Sequence, residues 1–153
     1  MSHQIRYVQP KDMNEVVELC AAHAAYEQAD YQREGKVKEL SDHLFSPTPK
    51  LIMLVVEMDQ KLIGYASYMK QYSTWDAAEY IYMDCLYLTA ETRGMGIGEQ
   101  LMRRIQKEAQ QLNCEWIQWQ TPDFNHRAIK FYQRIGATVK SKERFFLNSS
   151  PND

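Results

Sequence analysis

The segment Arg93-Gly94-Met95-Gly96-Ile97-Gly98 constrains this chain more than any other stretch. It follows Ala78 to Leu88, a long aromatic-rich run with the character of a strand. It precedes Gly98 to Leu112, where Leu101, Met102, Ile105, Ala109 and Leu112 recur at helical spacing. At the start of a helix the first amide hydrogens have no partner within the helix, and the helix dipole favours negative charge. Glycines let the backbone bring several such amides onto one anion. Arg93 can add charge-assisted hydrogen bonds. The segment is therefore suited to hold a phosphate or pyrophosphate. The two familiar nucleotide loops do not fit it. A P-loop needs Gly-Lys-Ser/Thr, and Gly98 is followed by Glu99. A dinucleotide fingerprint needs a glycine where this chain has Glu99, counted from Gly94, or Leu101, counted from Gly96.

The remaining elements read as follows. Gln4 to Val8 alternates like a half-buried strand, and Pro10 stops it. Asp12 and Glu15 have the spacing of a capping box, so a helix begins there, with Met13, Val16, Val17, Cys20 and Ala24 as its apolar stripe. A second helix is expected over Val37 to Phe45. Leu51 to Met58 and Leu62 to Tyr72 form a hairpin about Asp59-Gln60-Lys61, and Gly64 marks a bulge or a close backbone approach. Ser73 to Ala77 is a loop carrying Trp75. Trp116 to Gln120 is a short strand, Asn125 to Ile135 a helix ended by Gly136, and Ala137 to Leu147 a final strand. The order β-α-α-β-β-β-α-β-α-β implies an α/β (α+β) fold, a single domain over residues 1–153 with a mixed, mostly antiparallel sheet flanked by helices.

Composition bounds the function. The net charge of -2 exerts no strong pull on nucleic acid or an anionic membrane. The longest apolar run, Leu51 to Val56, is too short to span a bilayer, and Met1 to Gln4 lacks the apolar core of a secretion signal. Cys20, Cys85 and Cys114 follow no metal or redox spacing, so reduced thiols and a cytoplasmic location are expected. His3, His23, His43 and His126 show no ligand spacing; surface or capping roles are expected, and no metal.

At this point the sequence resembles the GNAT superfamily of N-acetyltransferases. Arg93, Gly96 and Gly98 match the family's Arg/Gln-x-x-Gly-x-Gly/Ala motif. Asn125, Ala128, Phe131, Tyr132, Gly136 and Ala137 match its second pattern, Asn-x-x-Ala-x-x-Phe-Tyr-x-x-x-Gly-Phe/Ala. Within the superfamily the chain looks most like the spermidine/spermine (diamine) acetyltransferases, through Ala25-Tyr26-Glu27, Ile63-Gly64-Tyr65-Ala66 and Tyr72 through Trp75.

The resemblance implies acetyl-coenzyme A as cosubstrate and an amine as acceptor. It implies that amides from Met95 to Gly98, with Arg93 and Gly94, bind the pyrophosphate. Leu86, Tyr87 and Leu88 would pair with the pantetheine arm as an added strand. Asn125 would hydrogen-bond the cofactor, and Tyr132 would stand near the sulfur as the acid for the leaving thiolate. A homodimer is expected because the family commonly forms dimers.

An alkyl amine attacks a thioester only after losing its proton, so a base is needed. Here the chain departs from the diamine enzymes. They carry Glu-Asp on the fourth strand, and this chain carries Met83-Asp84. Asp84 is expected on the face of Tyr80 and Tyr82, orienting the amine or accepting its proton through water. A structural, hydrogen-bonded Asp84 is the competing reading. Ser73 also stands where those enzymes have an acidic residue. Tyr26, Glu27 and Trp75 are the further candidates for binding the acceptor, through carboxylate attraction and cation-π contact. The expected activity is direct transfer, in a ternary complex, to a diamine, polyamine or amino-acid-like molecule. A protein or aminoglycoside acetyltransferase, and a non-catalytic acyl-coenzyme A sensor, stay open on sequence grounds.

Overall fold

Alternation of side chains along the strands decides which helix covers which face of the sheet. The computed structural model describes residues 2–150. The chain forms two compact units, Met1–Pro122 and Asp123–Asp153. The first contains β1 (His3–Tyr7), α1 (Met13–Tyr26), α2 (Lys36–Leu44), β2 (Ile52–Met58), β3 (Lys61–Ser73), β4 (Ala78–Leu88), α3 (Ile97–Gln111) and β5 (Ile117–Trp119). The five strands lie in the order β1-β2-β3-β4-β5. The first three pairings are antiparallel and β4-β5 is parallel, so the sheet is mixed, as expected.

On one face Met53 and Val55 of β2 and Leu62 and Tyr65 of β3 pack against Met13, Val16 and Leu19 of α1 and Leu44 of α2. The alternate residues Leu54, Val56, Ala66, Tyr68, Ile81 and Met83 are buried on the other face. The apolar stripe of α3, Ile97, Leu101, Met102, Ile105 and Ala109, is buried too, and the Tyr7 hydroxyl donates to Glu108 of α3. Each such aliphatic side chain stabilises the fold by about 1.5–3 kcal/mol when fully buried.

Local chemistry fixes the joins. Asp59 and Gln60 both adopt positive φ, 52° and 64°, and make the two-residue turn between β2 and β3. Gly64 faces Leu88 across the β3–β4 ladder, the close approach that its position in a strand implied. The capping box expected of Asp12 and Glu15 does not form at α1. A short turn, Pro10–Asp12, precedes the helix, and Asp12 makes no side-chain cap on it. The buried Asp12 carboxylate accepts from Arg6 at 2.8 and 3.0 Å and from the Gln9 amide at 2.7 Å. Glu15 accepts from the Leu62 amide at 2.9 Å. A charged partner and a buried strand amide are stronger claims on these carboxylates than a solvent-accessible helix start.

In the second unit α4 (His126–Arg134) is capped by Asn125, whose Oδ1 accepts from the Ala128 amide at 3.3 Å. Gly136, at φ 106°, ends it as expected. The strand expected over Ala137 to Leu147 is absent: these residues carry no strand. The run has strand-forming residues, yet a strand needs a neighbour to take its backbone hydrogen bonds, and this unit supplies none. Phe145, Phe146 and Leu147 are left 92%, 82% and 95% exposed.

Candidate active site

Two features of β4 create an opening. The first is a bulge. Ser67 pairs with Cys85 and Tyr68 with Met83, so Asp84 is an extra residue with no partner in β3. The second is the shortness of β5, which pairs with β4 only from Ile81 to Met83. From Asp84 to Leu88 the outer edge of β4 has no partner among the described residues. The Thr89 amide donates to Ile63 at 2.9 Å, which sets the phase of the antiparallel ladder. In that phase Tyr87 points its backbone groups inward to β3, and Leu86 and Leu88 point theirs to the open edge. Of the three expected pairing residues, Leu86 and Leu88 are therefore the ones whose backbone is available.

The chain leaves this edge through the turn Ala90–Thr92 and enters the glycine loop. Gly94 and Gly96 adopt φ of 81° and 80°, conformations that carry a steric penalty for any residue with a Cβ. A Cβ at either would meet nothing within 4 Å, so backbone conformation and not crowding requires glycine there. Gly96 is the residue before the first turn of α3, Ile97 is buried beneath it, and Met95 is exposed. Left-handed glycines beside a helix start form a concave set of amides suited to an anion.

Arg93 sits at the same corner. Its guanidinium carbon lies 4.6 Å from the ring centre of Tyr26 and 5.6 Å from that of Tyr87. The end of α1 thus meets β4 beside the loop. His23 stacks on Tyr87 at 5.1 Å, with Nδ1 2.8 Å from the Tyr65 hydroxyl and Nε2 2.8 Å from the Glu27 carboxylate. Sequence reasoning assigns His23 only a surface or capping role; its spacing from Glu27 on one helix is the single readable sign of this arrangement.

Asp84 is exposed, and Cys85 Sγ lies 3.7 Å from its carboxylate. Burial, then the charge of Asp84, pushes the Cys85 thiol up to about 12, so it stays protonated at neutral pH. Burial raises Cys20 and Tyr65 as well and pushes Tyr31 up to about 12. Met83 is buried on the opposite face, at the position of the missing family glutamate.

Trp75 is 97% exposed in the β3–β4 hairpin, where Ser73 and Asp76 bond to each other at 2.9 Å. Ala78 to Asp84 spans about 20 Å at strand spacing. Trp75 is therefore not brought together with Tyr26, Glu27 and Asp84. In the second unit Asn125 caps α4, and the Tyr132 ring lies 5.2 Å from that of Phe131. Among the described residues no group of three His, Cys, Asp or Glu side chains could hold a metal ion, and no helix is long and apolar enough to cross a membrane.

The chain is similar to known proteins in sequence and in fold. Residues 15–137 match the family described as "Acetyltransferase (GNAT) family". A thialysine N-epsilon-acetyltransferase of Bos taurus is 28% identical over 141 residues, covering 87% of this chain and 82% of that protein. A human spermidine/spermine N(1)-acetyltransferase-like protein 1 is 25% identical over 92% of this chain but only 21% of its own length. Among solved structures, the aminoglycoside N-acetyltransferase AAC(6')-Iy, in complex with CoA, has the same fold, with a TM-score of 0.81 at 15% identity over 97% of this chain and 96% of that one. The chain belongs to the acetyltransferase (GNAT) family and is an acetyl-CoA-dependent N-acetyltransferase.

Proposed function

We propose that this protein transfers an acetyl group from acetyl-CoA to an amine of a small molecule, a diamine, polyamine or amino-acid-like compound, by direct attack in a ternary complex. The observation that carries this reading is the unpaired edge of β4 leading into the open amide nest at Gly94 and Gly96. Leu86 and Leu88 would hold an extended pantetheine arm by backbone hydrogen bonds. The amides of Met95, Gly96, Ile97 and Gly98, with Gly94 and the Arg93 guanidinium, would hold the two phosphates. Asn125, whose Oδ1 caps α4, is proposed to hydrogen-bond the cofactor.

The bound cosubstrate supplies an activated acetyl group on sulfur. The chain must then take a proton from the amine and give one to the leaving thiolate. Asp84 is exposed at the bulge where the open edge of β4 begins, and it is proposed to orient the amine or accept its proton through water. Tyr132 is the proposed acid, since a phenol, whose ordinary pKa of about 10 lies above that of a thiol, keeps its proton at neutral pH and can share it with the sulfur as negative charge develops there. Tyr26 and Glu27 are proposed to bind the acceptor. Trp75 joins them only through a partner subunit or an acceptor longer than one diamine. The proposed transfer uses no metal. A homodimer is proposed. The thiols of Cys20, Cys85 and Cys114 are free, in keeping with a proposed cytoplasmic location.

The test is thiol release from acetyl-CoA with a panel of amines. Turnover with spermidine, a short diamine or a lysine-like amine supports the reading. Tight cofactor binding with no turnover on any acceptor would point to a sensor instead.

A further inference from the structure

Assigning Glu27 to the acceptor leaves its neighbour His23 unexplained. Its sequence neighbours in α1, Ala21, Ala22, Ala24 and Ala25, are all small and apolar. The His23 ring is held by three specific contacts from three elements. Nε2 lies 2.8 Å from Glu27 Oε2 on its own helix, Nδ1 lies 2.8 Å from the Tyr65 hydroxyl of β3, and the ring stacks on Tyr87 of β4. Its side chain is 13% exposed and that of Glu27 is 33% exposed, so the carboxylate faces solvent and the ring lies behind it.

The chemistry of the two partners fixes the proton. A carboxylate only accepts, so Nε2 must carry the hydrogen. Tyr65 is buried, and burial holds its hydroxyl well above its ordinary range, so it keeps its proton and donates to Nδ1. Neutral His23 thus satisfies both neighbours, and Glu27 retains its full negative charge. A second proton would go onto Nδ1, and the Tyr65 hydroxyl would turn to accept from it, with the Cys20 and Cys85 sulfurs as its alternative partners. Protonated His23 would then form an ion pair with Glu27 and cancel its charge.

We propose that His23 is a positioning residue for acceptor recognition: it aims the Glu27 carboxylate at the ammonium group of the acceptor, and its protonation switches that recognition off. This rests on the assignment of Glu27 to the acceptor site. The pair has a net charge of minus one when His23 is neutral and zero when it is protonated. A cationic acceptor therefore binds the neutral-imidazole form, and by linkage its binding disfavours protonation of His23. The other titratable groups around the ring are Cys20 on α1, Tyr65 on β3, and Asp84, Cys85 and Tyr87 on β4, with Tyr31 beside the two cysteines. Arg93 stacks on Tyr26 and Tyr87. The two thiols and both raised phenols stay neutral at the pH where imidazoles change charge, between about 5 and 8.

The test compares wild type with His23→Gln and His23→Leu, using a short diamine acceptor and saturating acetyl-CoA. Glutamine can donate to Glu27 and accept from Tyr65 but cannot take a proton. Wild type is expected to show a KM for the diamine that rises several-fold from pH 7.5 to 5.5 beyond any rise in His23→Gln, with kcat moving in parallel in the two. His23→Leu should raise KM about tenfold at all pH, since an untethered Glu27 loses its aim. Matching KM profiles in wild type and His23→Gln would overturn the proposal. A second readout does not need turnover: in NMR titrations of the His23 ring, saturating diamine should lower the titration midpoint in wild type and leave it unmoved in Glu27→Gln. No shift on adding diamine to the wild type overturns the inference. Failure of the wider functional reading is distinct, because it would appear as no thiol release from acetyl-CoA with any amine.

Discussion

Gly64 and Leu88 face each other across β3 and β4 so closely that a Cβ on Gly64 would come within 2.4 Å of Leu88 Cδ2 and 2.7 Å of the Tyr87 carbonyl oxygen. The leucine side chain can swing away, but the carbonyl belongs to the strand whose other edge is open. Gly64→Ala should therefore push β4 outward at Tyr87 and Leu88. Overpacking of this kind costs about 1–3 kcal/mol. The expected result is a lower melting temperature and a weaker Kd for acetyl-CoA by calorimetry. A destabilised variant with unchanged Kd would separate this edge from the cofactor site.

Gly96→Ala acts differently, because open space surrounds that residue and only the backbone is strained. Holding alanine at φ 80° costs about 1–2 kcal/mol. Gly35 offers a matched control: it has φ 79°, also precedes a helix, and has nothing within 4 Å of where a Cβ would stand. The two alanine variants should lose similar stability. Only Gly96→Ala should weaken coenzyme A binding, by tenfold or more, as the amide nest relaxes toward an ordinary conformation. Equal affinities in the two variants would remove the pyrophosphate role from this loop.

Much of this arrangement is legible in the sequence, for reasons that particular residues make clear. The loop and α3 can be read because glycine spacing and a helical apolar stripe are both local signals. Gly136 and the Asp59–Gln60 turn are legible for the same reason. Asp84 is harder: an alternation argument counts one residue per rung, and a bulge adds a residue without a sequence mark. Asp12 and Glu15 have the spacing of a cap, but Arg6 and the Leu62 amide, which claim them, come from strands whose approach no local pattern specifies. His23 can be paired with Glu27 by helical spacing, yet its contact with Tyr65 spans 42 residues. Ala137 to Leu147 has the composition of a strand, and composition does not provide a partner.

Asp12 carries a pH prediction of its own. Arg6 holds its carboxyl below the ordinary aspartate range, against the opposing effect of burial. A group whose folded pKa is depressed contributes stability that is present above its unfolded pKa, near 3.9, and lost as pH falls through the folded value. Arg6 also bonds Glu57 at 2.8 Å, so the pair ties β1, β2 and the start of α1 together. Breaking a buried pair by removing one charge costs about 3–5 kcal/mol. Asp12→Asn should lower the urea midpoint markedly at pH 7. It should also flatten the loss of stability below pH 4, since the variant has no proton to take up there. An Asp12→Asn curve that parallels wild type through the acid range would show that other carboxylates set the acid limb.

Tyr132→Phe isolates the proposed acid. The variant keeps the ring beside Phe131 and removes one oxygen. If the hydroxyl protonates the leaving thiolate, kcat should fall by about 10²–10⁴, the usual contribution of a positioned acid. The Kd for acetyl-CoA should stay within about twofold, because the proton transfer belongs to the transition state and not to ground-state binding. Stopped-flow detection of free thiol reads the first effect and calorimetry the second. Full activity in Tyr132→Phe would assign the departing sulfur's proton to another group or to water.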